Sequence, residues 1–377
     1  MVAQKTMGII LANMHDSLVT GLTDTRSMAS IPFAGRYRLI DFHLSNLVHA
    51  EIRDIGIIVK ENYHSLMRHI GSGRDWDLSR KIEGVQIYPP FIDSLYSSYT
   101  AGRVYAIYNV LPFIKASSSK YAVITDCDHV CNVDFSSFVN EHISSNADIS
   151  ILSRKPESAN EQTVRKGIAL VCDKDNRIVE IAYNNVVKNG KNFLLGMNIM
   201  VMERKLLIDL IEDAFNHQCT VIERDILIPK LKELFIRAHV FTGFVRRIDS
   251  IESYFHASMS LLDRNNHNAL FLKERPVFTK VNDDAPTRYG LDSDIKNSLI
   301  ADGCVIEGSV ENSILFRGVV VEKGAVIKNS VLMQGSVVEQ NATVHYCVFD
   351  KYVKITDGRS ILGYETFPLY INKGSII

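Results

Sequence analysis

From Ile314 onward apolar residues return at every sixth position, through Val320, Val326, Leu332, Val338 and Val344, with Gly318, Gly324 and Gly335 at recurrent corners. An α-helix of 3.6 residues per turn cannot place every sixth residue on one face. A parallel β-helix can, because each flat side holds one hexad and stacks its inward residue over the equivalent residue of the previous coil. The spacing predicts a β-helix over 296–377 with those six side chains pointing inward. Unrelated antiparallel strands are the competing reading. Coils of this kind end in open strand edges, so self-association is expected.

The rest of the chain follows a different grammar. Continuous apolar runs at Met7–Ala12, Ile55–Val59, Tyr121–Ile124, Ile149–Leu152, Ile168–Val171 and Met197–Met202 read as strands buried on both faces. Helical spacing at Asp41–Ile52, Val104–Ile114, Arg204–Ala214, Arg224–Leu234 and Ile251–Leu262 separates several of them. Asp41 is placed to cap the first helix. This alternation predicts an α/β domain with a mostly parallel sheet over 1–265. Periodicity then fades over 266–295, where Pro276, Pro286 and Gly290 mark a linker. A length of 377 residues exceeds what one core usually supports, which agrees with two domains.

With 42 Lys+Arg against 43 Asp+Glu, the formal net charge of −1 excludes a general attraction to nucleic acid or anionic lipid. The six cysteines form no CxxC pair and suit a reducing compartment. The first apolar segment is too short to span a membrane and has no cleavage pattern, so a cytoplasmic protein without membrane contact is expected.

Ligands of open α/β sheets bind beyond the carboxyl ends of the strands. After the Tyr121–Ile124 run comes Thr125-Asp126-Cys127-Asp128-His129, an Asp-x-Asp that suits a metal–phosphate site or, equally, a polar turn with Asp128 as a cap. After the first strand, Asn13-Met14-His15-Asp16-Ser17-Leu18 has no glycine to admit a phosphate, and Asp16 adds a charge of the wrong sign. It reads as an ordinary loop. Twelve histidines show no metal-ligand spacing, and no zinc is expected. Arg246-Arg247 reads as an anion clamp or as cations paired with nearby carboxylates. The series Tyr88, Tyr96, Tyr99, Tyr105 and Tyr108 reads as a subunit contact or as cleft wall.

Ile31–Asn46, IPFAGRYRLIDFHLSN, resembles the signature of the bacterial ADP-glucose pyrophosphorylase (glucose-1-phosphate adenylyltransferase) family. The resemblance extends through SLMRHI, CDHVCNVDF, GIALV, ERDILIPKL and the hexads, over nearly the whole chain. It implies a GT-A-like (Rossmann-like) nucleotidyltransferase domain joined to a left-handed parallel β-helix, making ADP-glucose from ATP and glucose 1-phosphate with Mg²⁺, for glycogen synthesis. Laid on the family's motifs, the chemical positions are altered. The loop GGxGxRL falls on Asn13–Val19, so Asn13 and Met14 replace glycines and Leu18 the phosphate-binding Arg. In RAKPA, Arg26 stays while Met28 replaces Lys and Ala29 replaces Pro. The catalytic Asp survives as Asp128, but the Asp of WRDVGT becomes Arg247, and a guanidinium cannot ligate a metal. EKP falls on Tyr183, Asn184 and Asn185, so Asn184 replaces Lys; the Ser of SMG is Gly196, and Gly167 matches. GTADA becomes Tyr99–Arg103. The family's effector-binding Lys falls on Arg36, a cation suited to phosphate or an exposed or interface Arg.

These losses imply a degenerate active site on a preserved scaffold, since each lost transition-state donor typically costs about 3 kcal/mol. The combination resembles the catalytically poor GlgD-type chains, which modulate an active GlgC-type partner within a mixed tetramer. No cofactor is expected for this chain, and Mg²⁺ is expected in the catalytic partner. A weakly active nucleotidyltransferase using Asp128 is the alternative. An acyltransferase on the hexad domain has only His345 to offer.

Overall fold

A computed structural model describes residues 6–81, 83–89, 102–157, 167–184 and 192–377. Seven strands of the nine-stranded central sheet run in the order Ile178–Tyr183, Ile168–Cys172, Leu194–Glu203, Tyr121–Asp126, Thr6–Leu11, Asp54–Ile58 and Gly84–Tyr88. Ile149–Arg154 also pairs with Leu194–Glu203 and carries Ile236–Val240 beside it. Thr6–Leu11 is parallel to both its neighbours, whereas the long Leu194–Glu203 strand runs antiparallel to the three it touches.

Every residue of Thr6–Leu11 is buried, as an unbroken apolar run requires when helices cover both sheet faces. Met7, Ile9 and Leu11 enter the layer beneath the Val104–Ile114 and Arg204–Asn216 region, while Ile10 enters the opposite layer with Leu44, Leu47, Phe135 and Phe138. The helix read from Asp41 begins at Leu39. Asp41 still caps it, from inside the first turn, by accepting the Arg38 N–H at 2.9 Å.

Two helices depart from the simple period. The segment Val104–Ile114 is not one helix but two, Arg103–Tyr108 and Leu111–Ala116, because Pro112 lacks an N–H and its ring crowds the preceding turn. The segment Arg224–Leu234 opens instead as a π-type turn, Ile222–Leu227, running into Ile228–Lys230 around Pro229. A short helix, Arg264–Leu270, capped by Asp263, runs into the stretch read as linker, which also holds the first coil strand at Arg288–Tyr289.

The C-terminal part is a left-handed β-helix of three parallel five-stranded sheets. Its register corrects half of the six-residue series. Leu315, Val321 and Ile327 point inward and are fully buried, stacking beneath Leu332, Val338 and Val344. Ile314, Val320 and Val326 each stand one place off the inward position. The reason is coil length: Leu315 lies under Leu332, seventeen residues on, so inward positions follow a 6, 6, 5 rhythm. Ile314 is buried from outside, in an apolar cluster that joins the two domains: Phe33, Phe42, Tyr254 and Phe255 meet Phe316, Val331, Met333 and Val348.

Candidate functional site

The loops after Thr6–Leu11 and Tyr121–Asp126 converge in a cleft, as the carboxyl ends of neighbouring parallel strands must. Met14, His15, Leu18, Arg103, Gly167, Tyr183, Asn184, Asn198, Glu223 and Arg247 line it.

Asp128 sits between this sheet and the small antiparallel pair His129–Cys131 and Val245–Arg247. Arg247 is set opposite His129 by that pairing, and its Nε lies 3.2 Å from Asp128 Oδ2. The same oxygen accepts from Asn198 Nδ2 at 2.8 Å, and Oδ1 lies 2.7 Å from His129 Nδ1. Asn198 reaches it from a left-handed residue (φ 57) in a bulge of the long strand. Burial alone would raise the Asp128 pKa, but His129, His15 and Arg247 together hold it well below the usual carboxylate range.

Asp126, at the end of its strand, accepts from His15 Nε2 at 2.6 Å and pairs with Arg103. Arg103 also pairs with Glu223, bridging the two acids while buried. Gly102 permits this, because a Cβ there would lie 2.1 Å from the Thr220 carbonyl and hold the helix start away from Glu223. Burial opposes a charge on His15, yet Asp128 and Asp126 raise its pKa above the ordinary value. His15, Asp126 and Asp128 thus bring three potential metal-ligating atoms within 4.8 Å of one another. They do not fit Mg²⁺, because the facing carboxylate oxygens are already held by guanidinium and imidazole groups. One carboxylate oxygen, Asp126 Oδ1, is buried without a hydrogen-bond partner.

The Asn13–Leu18 segment, read as an ordinary loop, is closed by its own hydrogen bonds. Asn13 donates to Asp16 at 2.6 Å and to the Glu61 carbonyl at 3.0 Å, and accepts from the Lys60 N–H at 3.0 Å. Asp16 in turn accepts the Met28 N–H at 2.8 Å. Burial pushes the Asp16 carboxyl up to about 6. Met14 and Leu18 present apolar side chains to the cleft.

The remaining sequence-derived positions separate. Met28 is not in the cleft but in the interdomain apolar cluster, and Arg26 turns away to pair with Asp350 of the β-helix at 2.7 and 2.9 Å. Gly167 and Asn184 meet through a 2.9 Å backbone hydrogen bond at the cleft wall. At Gly196 a Cβ would lie 2.4 Å from the Ile168 side chain, which would have to move to admit it. Tyr99 and Asn185 lie outside the described residues, as does Tyr96. Tyr108 stacks on Phe215 at 3.5 Å and Tyr88 packs on Phe113, both against the core of the sheet domain. Arg246 pairs with Glu157 and Arg247 with Asp128, which is the carboxylate-paired arrangement. His345 bonds Asn329 on the outside of the β-helix.

Arg36 lines a separate pocket between the domains, with Arg38, Arg68, Lys280, Arg317 and Lys351. Burial and the nearby Arg38 and Arg26 push the Lys351 ammonium down to about 7. Sequence reasoning singled out Arg36, with Arg38 two residues on, but not Arg68, Lys280, Arg317 and Lys351, which come from four distant segments.

Fold and cleft together define a nucleotidyltransferase-type domain carrying a hexapeptide β-helix. Residues 7–186 match the nucleotidyl transferase family, and residues 280–366 the GlmU-like, C-terminal hexapeptide family. The chain is 36% identical to the glycogen biosynthesis protein GlgD of Bacillus subtilis, over 98% of this chain and 96% of that protein. It is 35% identical to GlgD of Geobacillus stearothermophilus, over 86% and 83% of the two chains. Against the glucose-1-phosphate adenylyltransferase of the same organism the identity is 31%, over 86% and 84%. The chain belongs to the family formed by GlgD glycogen biosynthesis proteins and glucose-1-phosphate adenylyltransferases. Among the described residues no helix is long and apolar enough to cross a membrane.

Proposed function

We propose that this chain is a regulatory, catalytically poor subunit of glucose-1-phosphate adenylyltransferase, acting in glycogen biosynthesis by contact with a catalytic GlgC-type partner in a cytoplasmic hetero-oligomer. The observation that carries this reading is the closed Asn13–Leu18 loop. Where a triphosphate would need converging N–H groups and cations, Asn13 and Asp16 satisfy one another and Leu18 presents an apolar wall. The retained Asp128 does not compensate, since Arg247 neutralises it where a second carboxylate is needed. Geobacillus stearothermophilus has both a GlgD protein and a glucose-1-phosphate adenylyltransferase, so two related chains coexist in one organism. A subunit without turnover acts on its partner by contacting two of the partner's states unequally. The pocket around Arg36 gives that contact an input: six cations on two domains suit a small polyanion such as a sugar bisphosphate.

The test is pyrophosphate release from ATP, Mg²⁺ and glucose 1-phosphate by this chain, by the catalytic partner and by the mixture, each with and without a sugar bisphosphate. This chain alone is expected to release none above background, and the mixture to exceed the partner alone. A mixture equal to the sum of its parts overturns the regulatory reading, and steady turnover by the isolated chain returns it to the class of weak enzymes. The effector reading is lost if the bisphosphate fails to raise the melting temperature of the wild type, or raises that of Arg36→Ala equally.

A further inference from the structure

We infer that Arg103 and Arg247, assisted by His15, take the place of the divalent metal in this cleft, so that the site excludes Mg²⁺ by carrying its own cations. Mg²⁺ needs near-octahedral oxygen ligands at about 2.0–2.1 Å and keeps only a few protein carboxylates among them. Here Asp126 Oδ2 is shared by Arg103 and His15, and Asp128 Oδ2 by Arg247 and Asn198. Glu223, the third buried acid, is bound by the second arm of the Arg103 fork. Three carboxylates thus face two guanidiniums and two imidazoles, those of His15 on Asp126 and His129 on Asp128, which leaves no charge deficit for an ion to fill. The Arg103 side chain is one-tenth exposed and both its acids are almost fully buried, so the pairs are shielded from salt. Asp126 Oδ1, buried without a hydrogen-bond partner, cannot make a site alone. The rival arrangement, His15 with Asp126 and Asp128 as a three-donor site for a transition metal, requires His15 Nε2 to give up its 2.6 Å hydrogen bond to Asp126. It also requires a dication beside Arg103 and Arg247.

The inference stands apart from the subunit role, because a metal-free cleft is compatible with either outcome of the mixing assay. Mn²⁺ binding, read by the free-ion paramagnetic resonance signal and by thermal unfolding of the full chain, tests it directly. The wild type is expected to leave millimolar Mn²⁺ free and its melting temperature unchanged. Arg247→Asp is expected to bind Mn²⁺ at least about tenfold more tightly than the wild type. Arg103→Ala is expected to melt lower and to be partly rescued by Mn²⁺. Sub-millimolar Mn²⁺ binding by the wild type, abolished in Asp128→Asn or in His15→Gln, overturns the inference, the second pattern marking the three-donor site. Folded Arg247→Asp and Arg103→Ala proteins that ignore Mn²⁺ also overturn it. If neither variant folds, the wild-type titration against Asp128→Asn decides alone.

Discussion

His43 shows how a single buried side chain ties the site to solution conditions. Its ring is fully buried, with Nε2 2.9 Å from the His129 carbonyl and Nδ1 2.9 Å from the Thr125 hydroxyl. The neutral ring meets both: Nε2–H donates to the carbonyl, and Nδ1 accepts from the hydroxyl. Burial pushes its pKa down to about 4. A folded pKa below the unfolded one means the contribution is complete above about pH 6.5 and is lost as pH falls toward 4, with a slope of at most about 1.4 kcal/mol per pH unit. Urea midpoints measured between pH 7 and 4 should therefore fall, and His43→Gln should show a shallower fall, retaining the share of His142, which burial also lowers to about 4. At this scale the site was half legible. Asp128 and Arg247 stand out because one acid and one lost acid fall in recognisable motifs. His15, Arg103 and Glu223 do not, since their partners lie 23 to 120 residues away and local chemistry made them look like loop, altered motif and helix.

Elements were read best where their pattern depends on burial alone. The strands at Thr6–Leu11 and Tyr121–Asp126 form around the apolar runs Met7–Ala12 and Tyr121–Ile124. The helices failed where backbone chemistry intervened, at Pro112 and Pro229. In the β-helix the side-chain type was visible and the coil length was not, because Val320 and Val321, or Val326 and Ile327, are adjacent apolar pairs and only the seventeen-residue coil decides which member turns inward. That decision is measurable. Ile327→Ala should cost about 2–5 kcal/mol by leaving a cavity in the stack. Val326→Ala, on the half-buried outer side, should cost about 1 kcal/mol or less. Equal losses in chemical denaturation would mean that the register is wrong.

Across the described residues, the two domains are joined by the Phe33–Phe316 apolar cluster and by a buried ion pair, Arg26 with Asp350. Asp350 is held in place by the Tyr370 hydroxyl at 2.9 Å and the Lys351 N–H at 2.6 Å. Arg26→Met strands a buried carboxylate and should cost about 3–5 kcal/mol, while Arg26→Met with Asp350→Leu should recover part of that loss. Calorimetry of the single variant should separate the domains into two transitions where the wild type shows one. None of this was readable in advance: Arg26 looked like the surviving half of a basic pair, and only the folded chain shows its charge spent on the other domain. The cleft carries a wider consequence. An ion that arrives from solution comes and goes with its concentration, and any chelator can strip it away. A guanidinium fixed to the backbone has a local concentration that never falls. Through Arg103 the cleft keeps one electrostatic state in a magnesium-starved cell and in a replete one, a constancy denied to any homologue that must recruit its cation.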